Sequence, residues 1–188
     1  AMHFLRERCW KDGRLLAVHT DGESRYPAYL DDYAMLAWGL LELLEARWNA
    51  EALAWAIELV DVMLEHFTDH EAGGFFFTGD DHETLVHRPK PVFDGSIPSG
   101  NSAAAEGLLR LFHYTSDERF LAAAERALQV FAAGMTKNPF GFGHMLGATD
   151  FYLRKPREVV LVGQRDAADT VTMRARVHAA SPTMAPSI

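Results

Sequence analysis

Cysteine is nearly missing from this chain: Cys9 is the single one in 188 residues. No intrachain disulfide can form, and with no C-x-x-C pair the chain has no dithiol redox centre of its own. A reducing compartment, the cytoplasm, is the expected setting. Basic residues are also scarce. Lys and Arg number 18 against 26 Asp and Glu, a formal charge of −8. Nucleic acid is not expected as a partner, because phosphate binding needs a basic face. An anionic membrane surface has nothing to attract here either. No apolar run approaches the ~20 residues of a membrane span. The opening "AMHFLRERCW" is too charged, and too short of apolar residues, for a signal peptide. Neither G-x-G-x-x-G nor H-E-x-x-H occurs. "VVLVG" runs into Gln164 and Arg165 without a nucleotide fingerprint, and His66 and His70 in "HFTDH" lack the glutamate. Asp80-Asp81-His82 reads as turn chemistry. No metal and no cofactor is expected.

What is present is material for a helical core. Apolar residues make up 48% of the chain, enough for one domain or a large piece of one. Ala1 before Met2 reads as an added residue, and the chain reads as part of a longer protein. Two stretches repeat: "GLLELLEARWNAEALAWAIELV" from Gly39 and "GLLRLFHYTSDERFLAAAERAL" from Gly107, 68 positions apart without a gap. Each reads as helix, short turn, helix. Leu36, Leu40, Leu43 and Leu44 keep helical spacing, as do Leu53, Ile57, Val60 and Leu64. Asn49 is placed to cap the second helix of copy one, and "TSDE" (115–118) has capping-box spacing in copy two.

Long polar segments precede the first helix of each copy. "KDGRLLAVHTDGESRYPAYLDD" leads into copy one. "GGFFFTGDDHETLVHR" leads toward copy two and reads as a β-hairpin, with Gly79-Asp80-Asp81 as its turn. The expected fold is all-α: helical hairpins of a partial α/α toroid over 1–156, with a small β-hairpin insertion and a short β-α C-terminal tail. The hairpins fall at about 31–67 and 99–135, a third helical segment at about 139–155 and the β-hairpin at about 74–88. "REVVLVG" opens the β-α tail over 157–180, and 181–188 reads as disordered or artificial. An incomplete array leaves a raw edge, to be covered by the rest of a parent chain or by a homodimer.

The segments "AYLDDYAMLAWGLLELLEA", "GGFFFTGDD", "HRPKPVFDGSIPSGNSAAAEGLLRLFHYTSDERFL" and "REVVLVG", in that order, resemble the thioredoxin-domain-containing proteins of the spermatogenesis-associated, thioredoxin-like type. The resemblance covers about residues 5 to 165. It implies a long parent with a thioredoxin-like domain, absent here, followed by a helical toroid similar to six-hairpin glycosidases and N-acylglucosamine 2-epimerases. By that resemblance the partner is a sugar or small polar metabolite, and the chemistry, where there is any, is epimerase-like or glycosidase-like. The alternative is a non-catalytic helical module that supports the thioredoxin-like domain.

The stretch "DGSIPSGNS" (94–102) is the densest candidate site. Ser99 or Asn101 can cap the following helix, which leaves others of Asp94, Ser96, Ser99, Asn101 and Ser102 for a ligand. Ser99, Asn101 and Ser102 are the expected ligand-binding residues. Asp31 and Asp32 occupy the matching place in copy one, where one of them serves as the helix cap. Glycosidase-type work needs two carboxyl groups across a bond, and Asp94 with Asp32 is the candidate pair. Epimerisation needs a base of near-neutral pKa. His82, His87 and His144 lie in or beside loops. His87 is the chosen alternative base, and Arg88 beside it supplies positive charge. Trp38, Trp48 and Trp55 are read as core.

Overall fold

The computed structural model describes residues 1–83, 86–154 and 159–180. Helix α1 (Met2–Arg8) leads into a three-stranded antiparallel meander, β1 (Trp10–Lys11), β2 (Arg14–Thr20) and β3 (Glu23–Pro27). Four long helices follow: α2 (Leu30–Ala46), α3 (Ala50–His66), α4 (Gly100–Thr115) and α5 (Glu118–Lys137). A 3-10 turn (Pro139–Phe142) delivers the chain to α6 (Gly143–Arg154), and α7 (Ala168–Ala180) ends the described part.

The repeat is visible in the packing. Helix α2 packs on α3 and α4 on α5, and α4 lies between α2 and α6. Helices α2, α4 and α6 therefore form one layer, and α3 and α5 back it. Leu40, Leu41 and Leu44 of α2 and Leu108, Leu109 and Leu111 of α4 are buried between the layers. Full burial of each such side chain is worth about 1.5–3 kcal/mol. Helix α4 is the most enclosed element: from Gly100 to Leu111 only Glu106 is not fully buried. The "AAA" at 103–105 is therefore not idle composition, since small side chains let neighbouring helices approach.

The turns inside the hairpins behave largely as the spacing dictates. Asn49 caps α3, its side chain accepting from the N–H groups of Glu51 and Ala52. At 115–118 the cap is Asp117, which accepts from Arg119 N–H, while Ser116 takes the left-handed conformation (φ 57°) that ends α4. The expected capping box there is replaced by this single cap.

Two β expectations need correcting. The described residues of 74–88 form no hairpin: Phe75 makes one isolated bridge with Thr68, while Thr84 and Leu85 lie outside the described residues. The backbone of the aromatic run is satisfied elsewhere. Phe75 pairs with the Asn101 side chain, Phe76 N–H donates to Phe67, and Phe77 bridges Pro89 and Leu30. In the tail, Val159–Val162 is not a strand, and Val160 and Val162 are 80% and 96% exposed. A strand needs a partner ladder, and none of the described residues supplies one. Residues 157–158, at the start of the expected tail, and 181–188, read as disordered or artificial, lie outside the described residues.

The real sheet sits where a polar lead-in was expected. Asp12-Gly13 and Asp21-Gly22 carry positive φ at both residues, 50° and 75°, then 51° and 81°. Asp-Gly in that conformation is the type I′ hairpin turn, whose twist matches the flanking strands. Two such turns fold Trp10–Pro27 into the meander. Leu15 is buried, and its N–H donates to the Tyr33 hydroxyl at 2.8 Å, tying the sheet to α2.

Candidate functional site

The stretch at 94–102 is a junction of helix starts. Asp94 Oδ1 accepts from Ser99 N–H at 2.9 Å, and Oδ2 accepts from His144 N–H at 2.8 Å and Met145 N–H at 3.4 Å. Burial by itself would raise the Asp94 pKa. The backbone donors of Ser99, His144 and Met145 and the Ser102 hydroxyl outweigh it and hold the carboxyl below its ordinary value. Ser99 caps α4 through Ser102 N–H at 3.1 Å, and its hydroxyl lies 2.8 Å from that of Ser102. Asn101 is fully buried. It accepts from Phe75 N–H at 2.8 Å and donates to the carbonyls of Phe75 and Pro91, both at 2.9 Å. Asp94, Ser99, Asn101 and Ser102 are thus brought together, but their polar atoms hold the chain and not the solvent face.

The other expected residues lie apart from this junction. Asp32 makes a capping box at α2, accepting from Tyr29 N–H at 2.8 Å. No hydrogen bond links it to Asp94 among the described residues. Its neighbour Asp31 lies against the start of α4, and a side chain at Gly100 would meet Asp31 Oδ1 at 2.2 Å. Burial raises the pKa of Asp31. His87 is exposed and makes no hydrogen bond among the described residues. Arg88 donates to the carbonyls of His66 and Thr78 and lies 4.3 Å over the Phe76 ring, so it braces the loop.

A different constellation emerges on the α2–α4–α6 layer. On α4, Glu106, Arg110 and His113 are spaced i, i+4, i+7 and share one face. That face is turned from Leu108 and Leu111. Glu106 Oε2 and His144 Nε2 of α6 are 2.9 Å apart. The Trp38 ring of α2 meets the His144 ring edge-on at 5.0 Å. Trp38 and His144 belong to the two helices that flank α4, and they meet above Glu106. Arg110, buried to 6% exposure, reaches Glu42 at 2.6 Å and Glu45 at 2.7 Å. Its third carboxylate neighbour is Glu106 at 3.5 Å. The Glu106 contact raises the pKa of His144, against burial, which lowers it. Burial would raise Glu106, yet the His144 contact and the Arg110 charge hold it below its ordinary value. Asp94 enters here indirectly: by accepting the His144 N–H it fixes the start of α6, and so the position of the imidazole.

By sequence His144 stands among the loop histidines and Trp38 in the core, and no motif there singles out Glu106 or Arg110. The signal was in the repeat. Glu106 falls 68 positions after Trp38 and Arg110 falls 68 after Glu42, so polar or aromatic residues recur at matching places on the inner-layer helices.

The match to spermatogenesis-associated protein 20 of Homo sapiens is 32% identical over 151 residues, 80% of this chain. The chain is a homologue of spermatogenesis-associated protein 20. The Rattus norvegicus form gives the same 32% over 151 residues, and the Mus musculus form 31%. The chain spans 19% of the length of these curated spermatogenesis-associated protein 20 relatives. No family model matches. Among solved structures, a cellobiose 2-epimerase from Spirochaeta thermophila superposes with a TM-score of 0.53 at 22% identity, covering 69% of this chain and 35% of that one. A sugar epimerase from a ruminal bacterium gives 0.56 at 17% identity, covering 69% and 33%. The fold of this spermatogenesis-associated protein 20 homologue is thus that of a helical-hairpin array of the epimerase-toroid type. No helix among the described residues is long and apolar enough to cross a membrane.

Proposed function

We propose that the α2–α4–α6 face is one wall of a carbohydrate site and that His144 is a proton-transfer group in it. The observation that carries this reading is the His144–Glu106 pair beneath Trp38, held by Asp94 from behind. A histidine ion-paired to a carboxylate is suited to giving and taking protons near neutral pH. An indole beside it offers an apolar face for a sugar ring. The charge of the wall narrows the ligand. Glu42, Glu45 and Glu106 stand against Arg110 and His144, and Arg110 is already engaged by carboxylates. Such a wall suits neutral sugars better than sugar phosphates or uronates. The likeness to the sugar epimerases agrees with the reading at the level of fold. This chain covers about a third of those epimerases, so a complete site of that type needs further walls beyond these three helices.

The test is hydrogen exchange at a sugar carbon. The full-length protein is incubated with glucose, mannose, N-acetylglucosamine and cellobiose in heavy water, and deuterium at C2 is followed by NMR. Exchange into one neutral sugar, abolished in His144→Asn, is the expected result. A folded protein that exchanges none of them removes the catalytic reading.

A second reading rests on its own observation: every polar side chain of Asp94, Ser99, Asn101 and Ser102 is engaged internally. In that reading the loop is a structural staple, and the array is a non-catalytic module that packs against a thioredoxin-like domain. Absence of exchange, together with lost pull-down of a separately expressed thioredoxin-like domain when the inner face is altered, favours it.

A further inference from the structure

A second cluster of titratable side chains lies away from the His144 face, where the loop after α3 turns back on the helix end. His66 closes α3, and Gly79–His82 form the turn. His66 Nδ1 is 2.8 Å from Asp80 Oδ1, and Asp80 N–H donates to the His66 carbonyl at 2.9 Å. Both backbone and side chain thus pin Asp80 to the helix end. Gly79 is needed for this closure: a Cβ there would lie 2.6 Å from Asp81 Oδ1 and 3.1 Å from His82 Cδ2. One ligand atom from each of His66, Asp80 and Asp81 falls within 4.8 Å of the others. Atoms bound to one tetrahedral zinc ion at about 2.0–2.2 Å lie about 3.4 Å apart, so the three side chains must draw together around the ion.

An independent feature lies beside Asp81. The His82 side chain is 7% exposed, and its Nε2 lies 4.0 Å from Asp81 Oδ1. That nitrogen is buried with no hydrogen-bond partner among the described residues. A buried imidazole nitrogen without a partner is costly to maintain. We propose that His66, Asp80, Asp81 and His82 form a site for a divalent first-row transition metal, with zinc the best match.

Two guanidinium groups stand nearby and shape the selectivity. Arg14 donates to Asp81 Oδ1 at 2.9 Å, which orients that carboxylate. Arg88 braces the loop through the His66 and Thr78 carbonyls. Their charge offsets that of the two carboxylates, which disfavours calcium and magnesium, ions held by oxygen donors and charge. Nitrogen coordination is what remains, and it selects zinc, cobalt or nickel. The ion would join the end of α3 to the loop that carries the aromatic run.

Cobalt(II) is the probe. Chelator-stripped full-length protein is titrated with Co2+ and read by visible absorption, with Zn2+ added afterwards. One equivalent of bound cobalt, displaced by zinc and lost in both Asp80→Asn and His82→Gln, is the expected result. His82→Gln leaves the His66–Asp80 bond in place, so it decides the matter if Asp80→Asn fails to fold by circular dichroism. No saturable band in the wild type, or a band unchanged in His82→Gln, overturns the site. Neither outcome bears on the His144 reading, which requires no metal.

Discussion

At the scale of single residues, the Glu106–His144 contact ties charge state to structure. The raised His144 pKa means that its ion-pair stabilisation is complete below about pH 6.5, the ordinary histidine value. It fades as pH rises through the higher folded value. For Glu106 the pKa is lowered, so its share is present above about pH 4.3 and fades as pH falls through the lower folded value. Glu106→Gln is therefore expected to move the His144 NMR titration to lower pH and to remove this dependence on the alkaline side. An unmoved titration would show that the two groups are not coupled. Asn101 makes a different kind of prediction. Asn101→Ala strands the Phe75 N–H and the carbonyls of Phe75 and Pro91 in a buried place. At about 1–3 kcal/mol per unsatisfied buried group, softened by relaxation, a loss on the order of 3 kcal/mol is expected in urea unfolding. Asn101→Asp is not a conservative rescue, because a carboxylate cannot donate to either carbonyl.

At the scale of elements, the helical hairpins were legible because burial repeats with helical period and the copies share an offset. The caps were half legible: Asn49 caps as read, while the 115–118 cap fell to Asp117. The meander was hidden by its polarity. Val18 is 42% exposed and Tyr26 67%, so the strands show little apolar alternation. The two Asp-Gly pairs were the signal that remained. The 74–88 hairpin is absent among the described residues for the converse reason. Its β-favouring aromatics are held by helix ends and by Asn101, and a tertiary partner overrides strand propensity. The candidate site was legible in part. "DGSIPSGNS" announced something important, and it is important as the seat of two helix starts. The inner-face residues that carry the proposed chemistry look like ordinary amphipathic helix surface until α2, α4 and α6 are placed side by side. Replacing Gly22, at φ 81° with open space around it, by Ala should cost about 1–2 kcal/mol through the left-handed backbone alone. Such a loss in thermal unfolding, with the helical signal unchanged, is the expected reading.

At the scale of the whole molecule, cohesion is concentrated in the five helices from α2 to α6. The tail is separate in character. None of the described side chains of α7 is buried, and Gly163 packs beside Thr170 of that same helix. Hydrogen exchange should report this directly, with the amides of α7 exchanging far faster than those of α4, whose N–H groups open only with the array. Equal protection in the two helices would mean that the tail is held by contacts stronger than its exposure implies. The Glu42–Arg110 pair has a further consequence. These residues occupy the same position in successive copies, yet they carry opposite charge. A chain built from two identical copies of the first hairpin would set carboxylate against carboxylate at that junction. The hairpins share one sequence pattern but are not interchangeable, and their order along the chain is written in the sign of one side chain.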